Sequence, residues 1–230
     1  MPFGFFDPTM ILLIPCILLA LYAQYKVRHT YEEYSQVGSA AGLSGAETAR
    51  RLLRENGVYD VAVEEVPGAL SDHYDPRDKV VRLSSDNYRG HHLAGLAVAA
   101  HEVGHAIQHA HGYFALNLRH TILPVANIGS MLAFPLFFAG FFFGTPRLVD
   151  IGILLFAAAV AFQIVTLPVE FNASSRAMGL LVNGGYLARQ EGVLARKVLS
   201  AAALTYVAAT ATAVMHLLRL LILRAGMRDE

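Results

Sequence analysis

The sequence predicts a mainly α membrane protein: three to four transmembrane helices, together with an α+β polar domain assembled from two chain segments and facing the cytoplasm. Three observations carry this. Of 230 residues, 55% are hydrophobic, while 18 basic and 18 acidic side chains cancel. The apolar residues gather in four uncharged runs, residues 8–25, 121–146, 151–169 and 198–218, each near the roughly 20 residues that a helix needs to cross a bilayer. The charges gather between these runs, in two blocks at 26–120 and 170–197. The balanced charge also speaks against a nucleic-acid partner, which needs a basic surface to neutralise phosphates.

The first run, 8–25, reads as a transmembrane anchor and not as a secretory signal, because Asp7 precedes it and Lys26 and Arg28 follow it. A signal peptide carries its positive charge ahead of the apolar stretch. The same flanks put the N-terminus outside and the following block in the cytoplasm. Cys16 stands alone inside the run, so there is neither a disulfide framework nor a cysteine metal site.

In the block 26–120, "LSGAETARRLLRENGV" predicts an amphipathic helix. Ser44 followed by Glu47 is a capping box, Ala46, Ala49, Leu52 and Leu53 share a face, and Gly57 ends the element. "VYDVAVEEV", residues 58–66, predicts a strand broken by Pro67-Gly68. Asp75-Pro76-Arg77-Asp78 is a turn, and Val80, Val81 and Leu83 predict a strand after it, making a hairpin. The strand from Lys79 to Leu83 is the expected edge for an extended peptide. Runs 121–146 and 151–169 are joined by "RLVD" and predict a membrane hairpin, 121–169, which returns the chain to the side it left. The blocks 26–120 and 170–197 therefore face one compartment. The last run, 198–218, is rich in Ala and Thr and bears His216; it is the expected fourth transmembrane helix, with Arg219, Arg224 and Arg228 after it.

The chemistry concentrates in "AVAAHEVGHAIQHAHGY", which holds His-Glu-x-x-His at 101–105. Residues i and i+4 lie one turn apart on one helix face, so His101 and His105 can aim ring nitrogens at one Zn²⁺ ion. Glu102 sits beside them, positioned to act as a general base toward water. Three residues compete to be the third ligand. His111 stands ten residues after His101, where a third histidine occurs in the longer H-E-x-x-H-x-x-G-x-x-H pattern, but Gln108 replaces the glycine that would turn the chain out of the helix. His109 lies on roughly the right face, yet about 12 Å along the axis from His101. Glu170, in "LPVEFNASSRAMGLL", is the first charge after a long uncharged run and is expected to open a helix after Pro168. The hairpin brings it back to the side of His101, and a carboxylate is a competent ligand that leaves a fourth position open. Glu170 is the expected third ligand.

The strings "DHYDPRDKVVRLS", "AVAAHEVGHAIQH" and "LPVEFNASSRA", in this order and separated by a membrane hairpin, resemble the YugP-like neutral zinc metallopeptidases of bacterial membranes. The resemblance runs from about Tyr31 to about Arg196. It implies a zincin-like, gluzincin-type catalytic domain in the bacterial inner membrane, with one catalytic zinc held by His101, His105 and Glu170 and with Glu102 as general base. The implied activity is endopeptidase cleavage of a peptide or protein substrate, membrane proteins included, by a chain seated in the lipid bilayer. The chain is also similar, more loosely, to the membrane-bound heat-shock-type zinc proteases. Those carry an aspartate four residues after the third glutamate to orient a ligand histidine; here Ser174 stands at that place, so Ser174 or Asn172 is left to do the orienting with a neutral hydrogen bond. His73, Tyr74 and Arg176 are candidates, by residue type, for stabilising the oxyanion. The alternative function is a non-catalytic metal-binding scaffold or assembly factor in the membrane.

Overall fold

The computed structural model describes residues 8–227. Asp7 and Arg228, which enter the reading of the flanks, lie outside them. A short 3₁₀ turn, Pro8–Leu13, runs directly into α1, Ile14–Ser35. After it come α2, Gly45–Glu55, β1, Ala62–Val66, β2, His73–Asp75, β3, Val80–Ser84, and α3, Ser85–Arg89. Then follow α4, Leu93–Ala110, α5, Phe114–Phe142, α6, Pro146–Asn183, and α7, Arg189–Gly226. The chain is mostly helical with one small mixed sheet. Four of its helices are long and apolar enough to cross a membrane: Pro8–Ser35, Phe114–Phe142, Pro146–Asn183 and Arg189–Gly226.

The helices outrun the apolar segments that predict them. Residues 147–150, expected to be the hairpin connector, form the first turn of α6, and the chain reverses instead at 143–145, where Gly144 takes a φ of +60°. Likewise α6 runs unbroken past Pro168, so Glu170 lies inside a helix and does not open one. Prolines are tolerated inside apolar helices of membrane proteins, and α5 likewise contains Pro124 and Pro135.

Two compact units make up the chain. One comprises Met1–Ala23, Leu118–Leu167 and Thr205–Glu230. Among its described residues Ala133, Phe137, Val149, Phe156, Val160 and Leu220 form a core. Leu18, Met131, Leu154 and Phe143 lie exposed on its surface, an arrangement that water penalises and hydrocarbon does not. At one end of this unit Arg224 makes a two-pronged pair with Asp150, at 2.6 and 3.0 Å, and Arg219 donates to the Thr9 hydroxyl.

The other unit comprises Gln24–Asn117 and Pro168–Leu204. α2 starts where expected: Ser44 accepts from the Glu47 N–H and the Glu47 carboxylate accepts from the Ser44 N–H, satisfying two orphan amides at once. Ala46, Ala49, Leu52 and Leu53 are buried on one face, and α2 packs along α4. The expected strand at 58–66 is shorter, covering only its second half as β1. The β2–β3 hairpin forms, with His73 opposite Arg82 and Tyr74 opposite Val81, and the Asp75 carboxylate accepts from the Arg77 amide to tie the turn. Val81 and Leu83 bury inward, while Arg82 faces out between Asp75 and Asp78.

One feature of the sheet overturns an expectation. The strand order is β1-β3-β2, with β1 parallel to β3. The strand expected to present a free edge, Lys79 to Leu83, is therefore central, and both of its hydrogen-bonding edges are taken. The free edges belong to β1 and β2.

Candidate metal centre

The sequence dictates that α4 be buried on nearly all sides. Leu93, Ala94, Leu96, Ala97, Ala99, Ala100, Val103, Ala106 and Ile107 are all buried, and the polar residues of the helix are confined to its second half, from His101 to His109. His92 caps the start, its Nδ1 accepting from the Gly95 N–H at 3.0 Å. The end falls after Ala110, with exposed His111 at the C-cap and Gly112 turning the chain at a φ of +62°. Glutamine at 108 does continue the helix.

Close contact with α6 comes from Gly104. A Cβ on Gly104 would lie 2.8 Å from the carbonyl oxygen of Ala173 and 3.2 Å from its Cα. The two backbones thus touch next to His105 on one side and next to Ser174 on the other, within one turn of His101 and Glu170. As a result the Glu170 carboxylate oxygen Oε2 sits 3.3 Å from His101 Nε2 and 3.5 Å from His105 Nε2. The rings of His101 and His105 stand nearly perpendicular, 87° apart, with centroids at 4.7 Å. Ligand atoms of all three residues fall within 4.8 Å of one another.

This donor set fits zinc. Bonds of about 2.0–2.1 Å in a tetrahedron put neighbouring ligand atoms about 3.3–3.4 Å apart, close to the two histidine–glutamate separations. Two imidazoles and a carboxylate are zinc ligands by type. The electrostatics agree. Burial pushes the His105 imidazole down, but its hydrogen bond to Glu170 and the charges of Glu102 and Glu170 outweigh that and hold it above the ordinary histidine value. The negative field that retains a proton there is one that a divalent cation neutralises in its place.

Glu102 is buried, and its carboxylate makes no hydrogen bond among the described residues. A carboxylate beside two imidazoles, tied to no packing partner by a hydrogen bond, is free to take part in proton transfer at the donor triangle. His109 does not join the cluster; its Nδ1 meets the Tyr74 hydroxyl of β2 at 2.8 Å. Burial, aided by Asp60 and Asp75, pushes the Tyr74 phenol up to about 12, which keeps it a donor. His73 is exposed with its ring on the Ser71 carbonyl, and Arg176 donates to Asn172.

Behind the donors, the Ser174 hydroxyl lies 3.2 Å from His101 Nδ1, at one of the two positions considered from sequence. The residue behind His105 is one that sequence reasoning passes over: Gln108, whose Oε1 lies 3.0 Å from His105 Nδ1. The signal was available, since Gln108 follows His105 by three residues on the same helix and so falls within side-chain reach.

A His-Glu-x-x-His helix closed by a glutamate from a second helix, in a chain with four helices apolar enough to span a bilayer, is the kind of donor set that a membrane-associated zinc metallopeptidase would need. Comparison with known families agrees. Residues 9–225 match the model of the family described as "Putative neutral zinc metallopeptidase", and the chain belongs to that family. It is 51% identical over 219 residues to the "Putative membrane protease YugP" of Bacillus subtilis (strain 168), covering 95% of this chain and 97% of that one. No solved structure matches.

Proposed function

We propose that this chain is a membrane-embedded, zinc-dependent endopeptidase with one catalytic ion held by His101, His105 and Glu170. The observation that carries the reading is the buried donor triangle with an unpaired carboxylate, Glu102, beside it. When bound, zinc supplies Lewis acidity: it polarises a carbonyl and lowers the pKa of a water to about 7. Glu102 takes the proton of the attacking water and returns it to the leaving amine. His101 and His105 keep their Nε2 lone pairs for the ion while their Nδ1 atoms hydrogen-bond to Ser174 and Gln108. The substrate is a peptide or protein in extended form, membrane proteins included, aligned on the free edge of β2, which carries Tyr74 against His109 on α4. The unit that holds these residues faces the cytoplasm of a bacterial cell, because Lys26 and Arg28 follow the first span. A structural zinc takes four protein ligands; three donors gather here among the described residues, which favours turnover over a scaffold role.

The test is hydrolysis of an unstructured, dye-labelled protein by the purified chain in detergent. A chelator should stop cleavage and added zinc should restore it. Glu102→Gln should lose about 10²–10⁴ in turnover while keeping the parental zinc content. Cleavage that survives the chelator, or a Glu102→Gln variant with full turnover, sinks the reading.

A further inference from the structure

Gln108 is fully buried, and every polar atom of its side chain is engaged. Its Nε2 donates to the backbone carbonyl of Val169 at 2.8 Å and to Asn172 Oδ1 at 3.0 Å, both on α6. A carbonyl only accepts, so the Val169 oxygen forces the amide to turn its NH₂ toward α6 and its oxygen toward His105. Asn172 is fixed the same way. Its Oδ1 also receives the Arg176 Nε–H at 2.8 Å, and a guanidinium has no acceptor to offer. The chain Arg176, Asn172, Gln108 therefore has one consistent set of donor directions. At its end an amide oxygen faces His105 Nδ1, which must carry the hydrogen, so Nε2 is the nitrogen left to serve a metal.

We infer that Gln108 is the positioning residue of His105: set by Asn172 and Arg176, it fixes the tautomer and ring angle of that histidine. Because Gln108 sits on α4 while Val169, Asn172 and Arg176 sit on α6, the same bonds join the two helices that supply the donors. The readiness of His105 to bind metal and the docking of α4 on α6 are thereby one event. The acceptor is neutral, so His105 is a weaker base toward the ion than it would be behind a carboxylate, and the ion keeps more of its acidity.

This inference rests on the zinc reading above, and its test separates the two. Zinc affinity of the full chain in detergent is measured by competition with a chromophoric chelator, and the Co²⁺-loaded protein is examined by visible absorption. Gln108→Met keeps the length but removes every hydrogen bond. It should bind zinc about 10- to 100-fold more weakly and change the Co²⁺ band. Gln108→Glu keeps an acceptor for His105 but sets its other carboxylate oxygen against the acceptors of Val169 and Asn172, so it should recover only part of that affinity. Arg176→Met, at the part-buried far end of the chain, should fold normally, weaken zinc by roughly 3-fold and shift the Co²⁺ band, since it only loosens the direction of Asn172. Parental affinity and spectrum in Gln108→Met overturn the inference. Where Gln108→Met does not fold, an Arg176→Met protein with a parental Co²⁺ spectrum overturns it instead. His105→Ala with undiminished zinc binding is a different failure, that of the zinc reading itself.

Discussion

Gly104→Ala is a one-carbon test of how the site is built. The added Cβ would meet the Ala173 carbonyl oxygen at 2.8 Å, against an ordinary contact that begins at 3.4 Å, so α4 and α6 must part by about 0.6 Å. The obstacle is backbone, which cannot swing aside as a flexible side chain would. Overpacking of this kind costs about 1–3 kcal/mol, and the better helix propensity of alanine returns about 1 kcal/mol, so the metal-free protein should lose only about 0–2 kcal/mol of stability. Zinc is far less forgiving. Glu170 precedes Ala173 by three residues on the same helix and moves with it, and a shift of about 0.6 Å is roughly three times the 0.2 Å latitude of a good zinc–ligand distance. The variant should therefore bind zinc at least about 10-fold more weakly while its metal-free thermal midpoint falls only slightly. Chelator competition and thermal unfolding of the metal-free form read the two effects separately. Zinc affinity within about 2-fold of the parent would refute the argument that the Gly104–Ala173 contact sets the distance from Glu170 to the histidines.

Two further outcomes are expected. Glu170→Ala should lose zinc and activity together, whereas His109→Ala and His111→Ala should each keep most of both; metal analysis of the three purified proteins decides, and metal loss confined to His111→Ala would move the site to the single-helix arrangement. In a Cys16→Ala background, cysteines placed at Asp72 and Gly185 should react with an impermeant thiol reagent from one face of the membrane and a cysteine at Arg147 from the other; labelling of positions 72 and 185 from opposite faces would break the proposed topology.

Local signals in the sequence were reliable where one short stretch determines the structure. The capping box at Ser44 and Glu47 and the turn at Asp75 both close over a few residues, and both form. Signals read from composition were weaker at boundaries. An apolar run marks where hydrocarbon suits a helix, but nothing in it says that the helix must stop where the charges start, and so α1, α6 and α7 continue well into polar sequence. The parallel pairing of β1 with β3 was not legible at all. Hairpins announce themselves through their turns, whereas a parallel neighbour is chosen by packing across distant sequence, here by burying Val81 and Leu83 against the helices. That single pairing moves the free edges from β3 to β1 and β2.

Gln108 shows how one residue can be read correctly and still incompletely. Its helix propensity argues that α4 runs past position 108, which disfavours His111 as a ligand, and the helix does run to Ala110. Propensity concerns the backbone alone. The side chain of the same residue reaches His105 on one side and Val169 and Asn172 on the other, and the second half of that statement needs the packing of α4 on α6 before it can be made. The departure at Ser174 follows the same logic. With hydroxyl and amide oxygens behind the two histidines, Glu170 and Glu102 are the only carboxylates that the described geometry sets against them. The negative charge of the site is thus confined to the side where a cation and the attacking water would stand, and none is placed behind the imidazoles, where it would strengthen them as ligands and blunt the acidity on which peptide hydrolysis depends.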